Sequence, residues 1–496
     1  MVVANKLSSR FTVLGGGISG LSAAYYLAKH HSKPSDITVL EASGRFGGWM
    51  HSKRSPEGAV FEQGPRSLRP AGPPGWTTLD LVSELGLESN IIPVNTSHPG
   101  ATNRFIYSRG KVHKLPNSII SILKKQSLFS QSLLPTILKE PFKEKRISEN
   151  DESVYSFFSR RLNREVAEYI GDPVCRGIFA GDARALSLRA VFPAVYEMEK
   201  NYGSVVKGAL LGKSVKPGPD ASPLVQRSIN EKWSIWSLDG GLQTFADKLH
   251  NSLNQMGVKF IVGKPCFAID FTDDYKAILQ IAEEKLETDH LISSLSADRL
   301  ASILPSSHSN LVDALSEIKP VSVGLVNLEY NGNIIKDEGF GVLLPSSEAT
   351  KVLGIIYDSC LFPQHDRKDG GHTRLTVMMG GHWFEEQFGH PDIVDTSVLT
   401  DTAVDAVAKI MGVSKDPIKT LTSVQTNCIS QYHIGHTSRV NRIFNYVRDN
   451  GLPLSLVGSS YKGVGVNDCV YNAKVMVEEL VAKNGNKDRG IVSEVE

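Results

Sequence analysis

The chain is short of several things, and each shortage removes a class of function. Its five cysteines, Cys175, Cys266, Cys360, Cys428 and Cys469, are scattered through 496 residues with no CxxC pair. That spacing excludes a disulfide framework and a structural zinc site, and free thiols in a reducing setting are expected. No run of 18 or more apolar residues occurs, so no helix of bilayer-crossing length is expected. Charge of one sign is not in excess: 54 Lys and Arg against 53 Asp and Glu leave a formal net charge of +1, which argues against a nucleic-acid partner. The stretch before the first strand has Lys6, Ser8, Ser9 and Arg10 but no apolar segment, so no cleavable presequence is expected and any organelle address would be internal or short. There is no internal repeat and no nucleophile triad. His433 and His436 lie close together, but no third ligand can be placed, so they read as structural and no metal is expected.

What is present begins in the first fifty residues. The apolar run Phe11 to Leu14 reads as a buried strand, and Ile18, Leu21, Tyr25 and Ala28 recur at helical spacing. Gly15, Gly17 and Gly20, with Gly16, Ile18 and Ser19 between them, therefore fall where a strand turns into a helix. The first glycine suits the tight turn, the second lets a pyrophosphate approach the backbone, and the third lets helix and strand pack closely. The helix N-terminus offers unpaired N–H groups and a positive dipole end to phosphates. A second apolar strand, Ile37 to Leu40, ends in Glu41, about 20 residues past the last glycine, where a carboxylate accepts from ribose hydroxyls.

Two features favour FAD over NAD as the dinucleotide. Arg45-Phe-Gly-Gly48 follows the acidic residue, as in flavoproteins related to amine oxidases. Two more glycines let a second loop approach the cofactor, while Arg45 can hold a phosphate, close the loop, or stand as a surface arginine. No further GxGxxG occurs, so a second nucleotide site for a reducing nicotinamide is missing and electrons are expected to come from an organic substrate.

Further along, Glu62 to Trp76 is crowded with Gly, Pro and Arg and reads as loop, with a short helix from Leu79 to Leu85. Between Tyr107 and Arg146 nine Lys or Arg stand against Glu140 and Glu144, with apolar residues interleaved. Such a segment suits a membrane interface, or else an ordinary helical domain with a solvated basic face. Helical periodicity runs to about Leu211, and Gly212 to Pro223 reads as loop. A strand at Trp233, the helix after Gly240-Gly241 and a strand from Val258 to Val262 suggest a return to the nucleotide sheet, and alternating runs beyond Ser293 suggest an antiparallel sheet. Leu454 to Tyr461, including Ser459, reads as strand and turn; Gly463-Val-Gly-Val466 then opens a helix whose N-terminus can face a flavin ring, or is simply a capped helix. Lys483 to Glu496 reads as a polar, fraying tail.

Taken together, Gly15 to Gly20, Glu41 to Trp49, Gly64-Pro-Arg-Ser-Leu-Arg-Pro-Ala-Gly72 and Val82 to Leu87 resemble the animal-type protoporphyrinogen oxidase family. Asn103 to Tyr107, Cys175-Arg-Gly-Ile-Phe-Ala-Gly181, Trp233 to Leu238, Gly339 to Leu343, Gly354 to Ser359 and Val464 to Cys469 continue the resemblance in the family's order. It implies an α/β fold in which a Rossmann-type FAD-binding domain (10–86, 237–299, 431–485) is interleaved with an α+β substrate-binding domain (87–111, 219–236, 300–430). A helical membrane-binding domain (112–218) and a flexible tail (486–496) complete the expected layout. The implied reaction is six-electron, oxygen-dependent oxidation of protoporphyrinogen IX to protoporphyrin IX with hydrogen peroxide as product, in heme biosynthesis. Homodimerisation, peripheral attachment to the mitochondrial inner membrane and hand-off to ferrochelatase are implied in the same way.

Residue by residue, the resemblance assigns Arg104 to a substrate propionate, Phe340 and Leu343 to a wall of the macrocycle pocket, Met378 to its lining and Gly177 to a backbone position facing the ring. From spacing alone, Leu343 and Met378 read as sheet core and Arg104 as a loop arginine on backbone carbonyls. The cofactor side takes Gly15 to Gly20, Glu41, Arg45, Trp49, Gly64, Pro65, Arg66, Ser67, Cys266, Ser459, Val464, Gly465 and Val466. Ser67 stands where the family pattern has glycine. Other readings are an oxidase or desaturase of coproporphyrinogen, a polyamine or a carotenoid, and an inactive flavin-fold scaffold.

Overall fold

The computed structural model describes residues 7–487 except 8, 147–150, 213–214 and 220. Five short parallel strands form its nucleotide sheet, in the order Leu454–Leu456, His290–Ser293, Phe11–Leu14, Ile37–Glu41, Lys259–Val262. In chain sequence this is the 3-2-1-4-5 arrangement of a doubly wound fold, with the switch point beside Phe11–Leu14. Its strands read as continuous apolar runs because both faces are covered. On one face the helices Ile18–His30, Gln243–Met256 and Val466–Lys487 pack through Leu21, Leu249 and Val470, all fully buried. On the other, a three-stranded antiparallel layer and the helix His436–Asp449 cover it through Leu279, Ile443 and Leu291.

A second sheet of seven strands carries the other half of the molecule. Its order is Lys419–Ser430, Pro320–Asn331, His372–Gly381, Val352–Ile356, Gly341–Leu343, Phe105–Ser108, Lys111–Lys114. The expected antiparallel pairing holds except where Gly341–Leu343 lies parallel to Phe105–Ser108. Between Lys114 and Gly212 the regular elements among the described residues are all helices, in short pieces such as Val154–Arg161, Asp172–Phe179 and Val205–Leu211 joined by loops. This region packs on apolar clusters shared with Ile106 and Leu343 of the second sheet and with Tyr432, and holds a buried ion pair, Arg161 with Glu140. The Glu140 carboxylate also accepts from the backbone N–H groups of Val205 (3.0 Å) and Val206 (3.1 Å), which ties the last helix to the first ones.

Three local expectations are corrected. The stretch read as loop up to Trp76 turns helical at Gly72, and the helix runs Gly72–Glu84. Its Pro73 and Pro74 lie in the first turn, where a backbone N–H has no intrahelical partner and a proline costs little. Trp233–Leu238 does not enter the nucleotide sheet: it pairs antiparallel with Ile91–Asn95, and it crosses the 236/237 boundary drawn from sequence. At the C-terminus the final helix continues to Lys487, past the start expected for the tail, because Leu480 and Val481 still pack on the nucleotide core; 488–496 lie outside the described residues.

Candidate active site

The cofactor side is built mainly from backbone. Gly15 adopts φ +105° and its N–H donates to the Leu40 carbonyl at 2.8 Å, which binds the turn to the neighbouring strand. A Cβ at Gly20 would run into the Gly15 carbonyl oxygen, so helix and turn can approach only with glycine there. Gly17 also faces Gly48: an added Cβ on Gly48 would lie 3.1 Å from the Gly17 Cα, whereas one on Gly17 would lie 3.7 Å from the Gly48 Cα, an ordinary contact. Ile18 and Ser19 are buried at the helix start, behind this face. Glu41 closes the turn from the side, its carboxylate accepting from the Gly16 N–H (2.7 Å) and from Ser43 N (2.7 Å). A cavity opens at the C-terminal ends of the central strands, lined by Gly15, Glu41, Ala42, Cys266 and the cations Lys264 and Arg299. That is where ligands bind in doubly wound sheets.

Of the three roles open to Arg45, the geometry places it in loop closure. Its guanidinium donates to the carbonyls of Phe46 and Met50, both at 3.2 Å, and to Gly48. The next loop is clamped at both ends. Gln63 N–H donates to the His51 carbonyl (2.8 Å), and Leu68 exchanges two backbone bonds with Trp236 (2.8 and 2.9 Å). Between them Gly64 lies against the Trp49 carbonyl, and the Trp49 side chain is 43% exposed. Pro65 and Ser67 flank the buried Arg66, whose guanidinium pairs with Asp358 at 2.7 Å rather than with solvent.

This pair belongs to a polar seam that spacing did not reveal. Asp358 accepts from Thr376 Oγ1 (2.6 Å), Thr376 accepts from Asn327 Nδ2 (2.8 Å), and Asn327 accepts from Gln63 Nε2 (2.5 Å). Beside it the Glu62 carboxyl accepts from Leu242 N and Ser52 Oγ, each at 2.7 Å, and burial pushes it up to about 7. The seam ties the seven-stranded sheet, through Asn327 and Thr376, to Gln63 and Arg66 on the Gly64 loop. Its members come from segments far apart in the chain, so only three-dimensional packing brings them together.

The C-terminal turn meets the same region. Tyr432 Oη donates to the Ser459 carbonyl (2.6 Å) and accepts from Gly463 N–H (2.9 Å), which fixes Ser459 and the glycine turn at once. Gly465 N–H donates to Asp468 Oδ2 (3.2 Å), so Asp468 closes the helix start; Val464 and Val466 bracket that turn in two different apolar clusters. Asn467 instead donates to the Arg69 carbonyl at 2.8 Å, and its own Oδ1 is buried without a partner. An orphaned buried acceptor beside a helix N-terminus and a glycine cradle formed by Gly17 and Gly48 fit a flavin dinucleotide.

On the other side the expected substrate residues form two groups. Leu343 is paired with Gly354 and Gly354 with Met378 across neighbouring strands, and a Cβ on Gly177 would lie 2.7 Å from the Leu343 side chain. Gly177, Leu343 and Met378 therefore share one apolar surface. Arg104 stacks on Phe340, 4.7 Å from its ring centre, and donates to the carbonyls of Gly100 (2.9 Å) and Asn103 (3.0 Å). Burial and the charge of Arg69 hold the Arg104 guanidinium below its usual range. His436, by contrast, stacks on Tyr432 at 3.9 Å and bonds the Tyr461 carbonyl at 3.0 Å, which makes it a structural residue. Among the described residues no group of three or more His, Cys, Asp or Glu is placed to hold a metal.

A parallel doubly wound sheet with this glycine turn, in a chain that carries a second, mostly antiparallel sheet, defines a dinucleotide-binding fold. Residues 18–475 match the family described as flavin containing amine oxidoreductase. The chain is 41% identical over 474 residues to the protoporphyrinogen oxidase of Homo sapiens, covering 96% of this chain and 98% of that one. It is 25% identical over 490 residues to the coproporphyrinogen III oxidase of Bacillus subtilis, covering 95% and 97%. A solved structure from Exiguobacterium sp. 255-15 superposes with a TM-score of 0.77 at 23% identity, covering 97% of this chain and all of that one. The chain belongs to the protoporphyrinogen oxidases within the flavin containing amine oxidoreductase family, and its cofactor is FAD.

Proposed function

We propose that this chain oxidises protoporphyrinogen IX to protoporphyrin IX, with three molecules of oxygen reduced to three of hydrogen peroxide. The observation that carries the reading is a cofactor cradle together with an apolar surface (Gly177, Leu343, Met378) that includes the strand Gly341–Leu343, which begins next to Phe340 and the half-buried Arg104 stacked on it. A largely apolar macrocycle with carboxylates at one edge matches such a lining. FAD supplies the hydride acceptor. Gly15 to Gly20 hold its pyrophosphate, Glu41 its ribose, and the Gly64 to Ser67 loop, with Trp49, Cys266, Ser459 and Val464 to Val466, borders the rest. Arg104 grips one carboxylate and so fixes which face of the macrocycle meets the cofactor. The apolar wall excludes water, and a substrate that gains aromaticity on losing hydride needs little acid–base help.

The helical part, 112–218, lies on a membrane surface in this proposal. No helix among the described residues is long and apolar enough to cross one. Support comes from Phe142 (88% exposed) and Leu210 (79% exposed), carried by two elements that Glu140 ties together, with Lys139 and Lys207 exposed beside them. Apolar side chains next to lysines suit an interfacial, non-spanning attachment. Attachment to the mitochondrial inner membrane, a homodimer and transfer of product to ferrochelatase follow from family membership alone. The coproporphyrinogen reading keeps some support from the Bacillus relative. Purified holoprotein supplied separately with protoporphyrinogen IX, coproporphyrinogen III and a polyamine, with porphyrin fluorescence and peroxide followed, tests the choice. Turnover of the first at the highest kcat/KM supports the proposal, and preference for either other substrate overturns it.

A further inference from the structure

Tyr432 stands where three segments distant in the chain meet. Its side chain is buried in the apolar cluster of the helical region with Phe157, Phe179 and Leu188, its ring centre 6.4 Å from that of Phe179. Its carbonyl accepts from the Ser187 N–H at 2.8 Å, and the adjacent Gln431 donates through Nε2 to the Phe179 carbonyl at 2.9 Å. Its hydroxyl leaves that cluster and reaches the turn before the last helix, donating to the Ser459 carbonyl and accepting from the Gly463 N–H. One side chain therefore connects the helical region to the C-terminal turn.

That hydroxyl is held firmly. The ring stacks on His436 at 3.9 Å and 15° from parallel, and His436 itself bonds the Tyr461 carbonyl. Burial pushes the phenol well above its ordinary value, so it stays protonated and keeps donating. The turn, in contrast, is a strained piece of backbone. Gly463 adopts φ +112°, and a Cβ there would run into the Asp468 side chain. Ser459 and Gly463 are both tied to the one oxygen, and just beyond them the helix Val466–Lys487 begins. The direction in which the first N–H groups of that helix point is thus set at the place where Tyr432 pins the chain.

We propose that Tyr432 is a positioning residue for the flavin: by pinning Ser459 and Gly463 together, its hydroxyl aims the N-terminus of the helix Val466–Lys487 at the ring and so raises the reduction potential of the bound FAD. The assignment rests on the reading above in which Val464 to Val466 border the FAD, and goes beyond it by naming the side chain that tunes the cofactor. Reduction adds negative charge to the ring, and a positive dipole end beside it stabilises that charge. The dipole effect fades within one helical turn, so a small change of aim at Gly463 is felt. Because the same residue is packed in the helical region, the tuning is anchored there rather than in the nucleotide sheet.

The test measures the midpoint potential of bound FAD in the full chain at pH 8, by reductive titration against a reference dye, with thermal stability followed in parallel. Tyr432→Phe keeps the stacked ring and removes only the hydroxyl. It is expected to make the bound flavin about tenfold harder to reduce, a potential lower by about 30 mV for a two-electron couple. Tyr25→Phe removes another tyrosine hydroxyl, one that donates to Glu84 at 3.0 Å, and should leave the potential where it is whatever it does to stability. A Tyr432→Phe protein with the wild-type potential, with or without a loss of stability, overturns the assignment, and so does one that no longer retains FAD. Asp468→Asn checks the reading beneath it, since asparagine still accepts from the Gly465 N–H while a negative charge at the helix start is removed. A higher potential in that variant supports a ring at this turn. No shift in Asp468→Asn rejects the placement of the FAD, whereas a shift there with none in Tyr432→Phe rejects only the role of Tyr432, so the two failures are separable.

Discussion

The cofactor half and the substrate half of this molecule solve recognition with different materials. Around the nucleotide turn the contacts are backbone to backbone, and side chains matter mostly by being absent, as at Gly20, where a Cβ would meet the Gly15 carbonyl. In the proposed substrate half the contacts come from residues on strands and helices distant in sequence, such as Leu343 against Gly177 and Arg104 over Phe340. The lesson is that the glycine turn leaves no room for an added side chain, as at Gly20. The proposed substrate half can be varied one residue at a time, and the proposal places specificity there.

The contrast can be broken most severely at Gly20. Gly20→Val forces a branched side chain into the Gly15 carbonyl and Ser294, and is expected to abolish flavin retention, read from the visible absorbance of the purified protein. Retention of full flavin would refute the claim that this half is backbone-limited. Next comes the seam between the halves. Arg66→Ala leaves Asp358 buried beside Thr376 without its cation and should cost about 3 kcal/mol of stability by chemical denaturation. Arg66→Met combined with Asp358→Leu should cost less than the single change, because no charge is then stranded.

Glu62 sharpens the same seam through pH. Its folded-state value lies near 7, above the ordinary carboxylate value, so the folded protein binds the proton more tightly than the unfolded chain. The stabilisation is present at low pH and is lost as pH rises from about 4.5 to about 7, by up to about 3 kcal/mol. Glu62→Gln should remove that slope in a pH series of denaturation curves. On the substrate side, Arg104→Ala should raise KM about tenfold to a hundredfold while bound FAD stays near the wild-type level. Loss of flavin in that variant would place Arg104 in the cofactor half instead. The smallest effect is expected in the helical region, where Phe142→Ser with Leu210→Ser should reduce flotation with anionic liposomes more than reversing the charges of Lys124 and Lys125 does. If none of these proteins, wild type included, floats, interfacial attachment is wrong.

How far each half could be read from sequence follows from the same difference. The strand, glycine turn, helix and acid of the nucleotide unit are contiguous, so Gly15 to Gly20 and Glu41 declare their geometry locally. The final turn was legible for the same reason, though its cap is Asp468 and its support, Tyr432, lies in another segment. Arg66 and Asp358 are 292 positions apart, and nothing in the local pattern of either announces the other. The helix Gly72–Glu84 was concealed by Gly-Pro-Pro-Gly, which reads as a breaker although prolines are tolerated in a first turn. Trp233–Leu238 alternates like any half-buried strand, and alternation does not say which partner it pairs with. Leu343 and Met378 look like sheet core in sequence, and they do lie in a sheet. What spacing could not show is that their shared surface also faces Gly177.

The most direct test of the account is anaerobic. Protoporphyrinogen IX is added to the FAD-loaded protein in the absence of oxygen, and the flavin absorbance is followed. The account predicts rapid bleaching, followed on admitting oxygen by recovery of the flavin spectrum, porphyrin fluorescence and three peroxides for each porphyrin formed. Flavin that stays oxidised while porphyrin appears no faster than in buffer alone would contradict it.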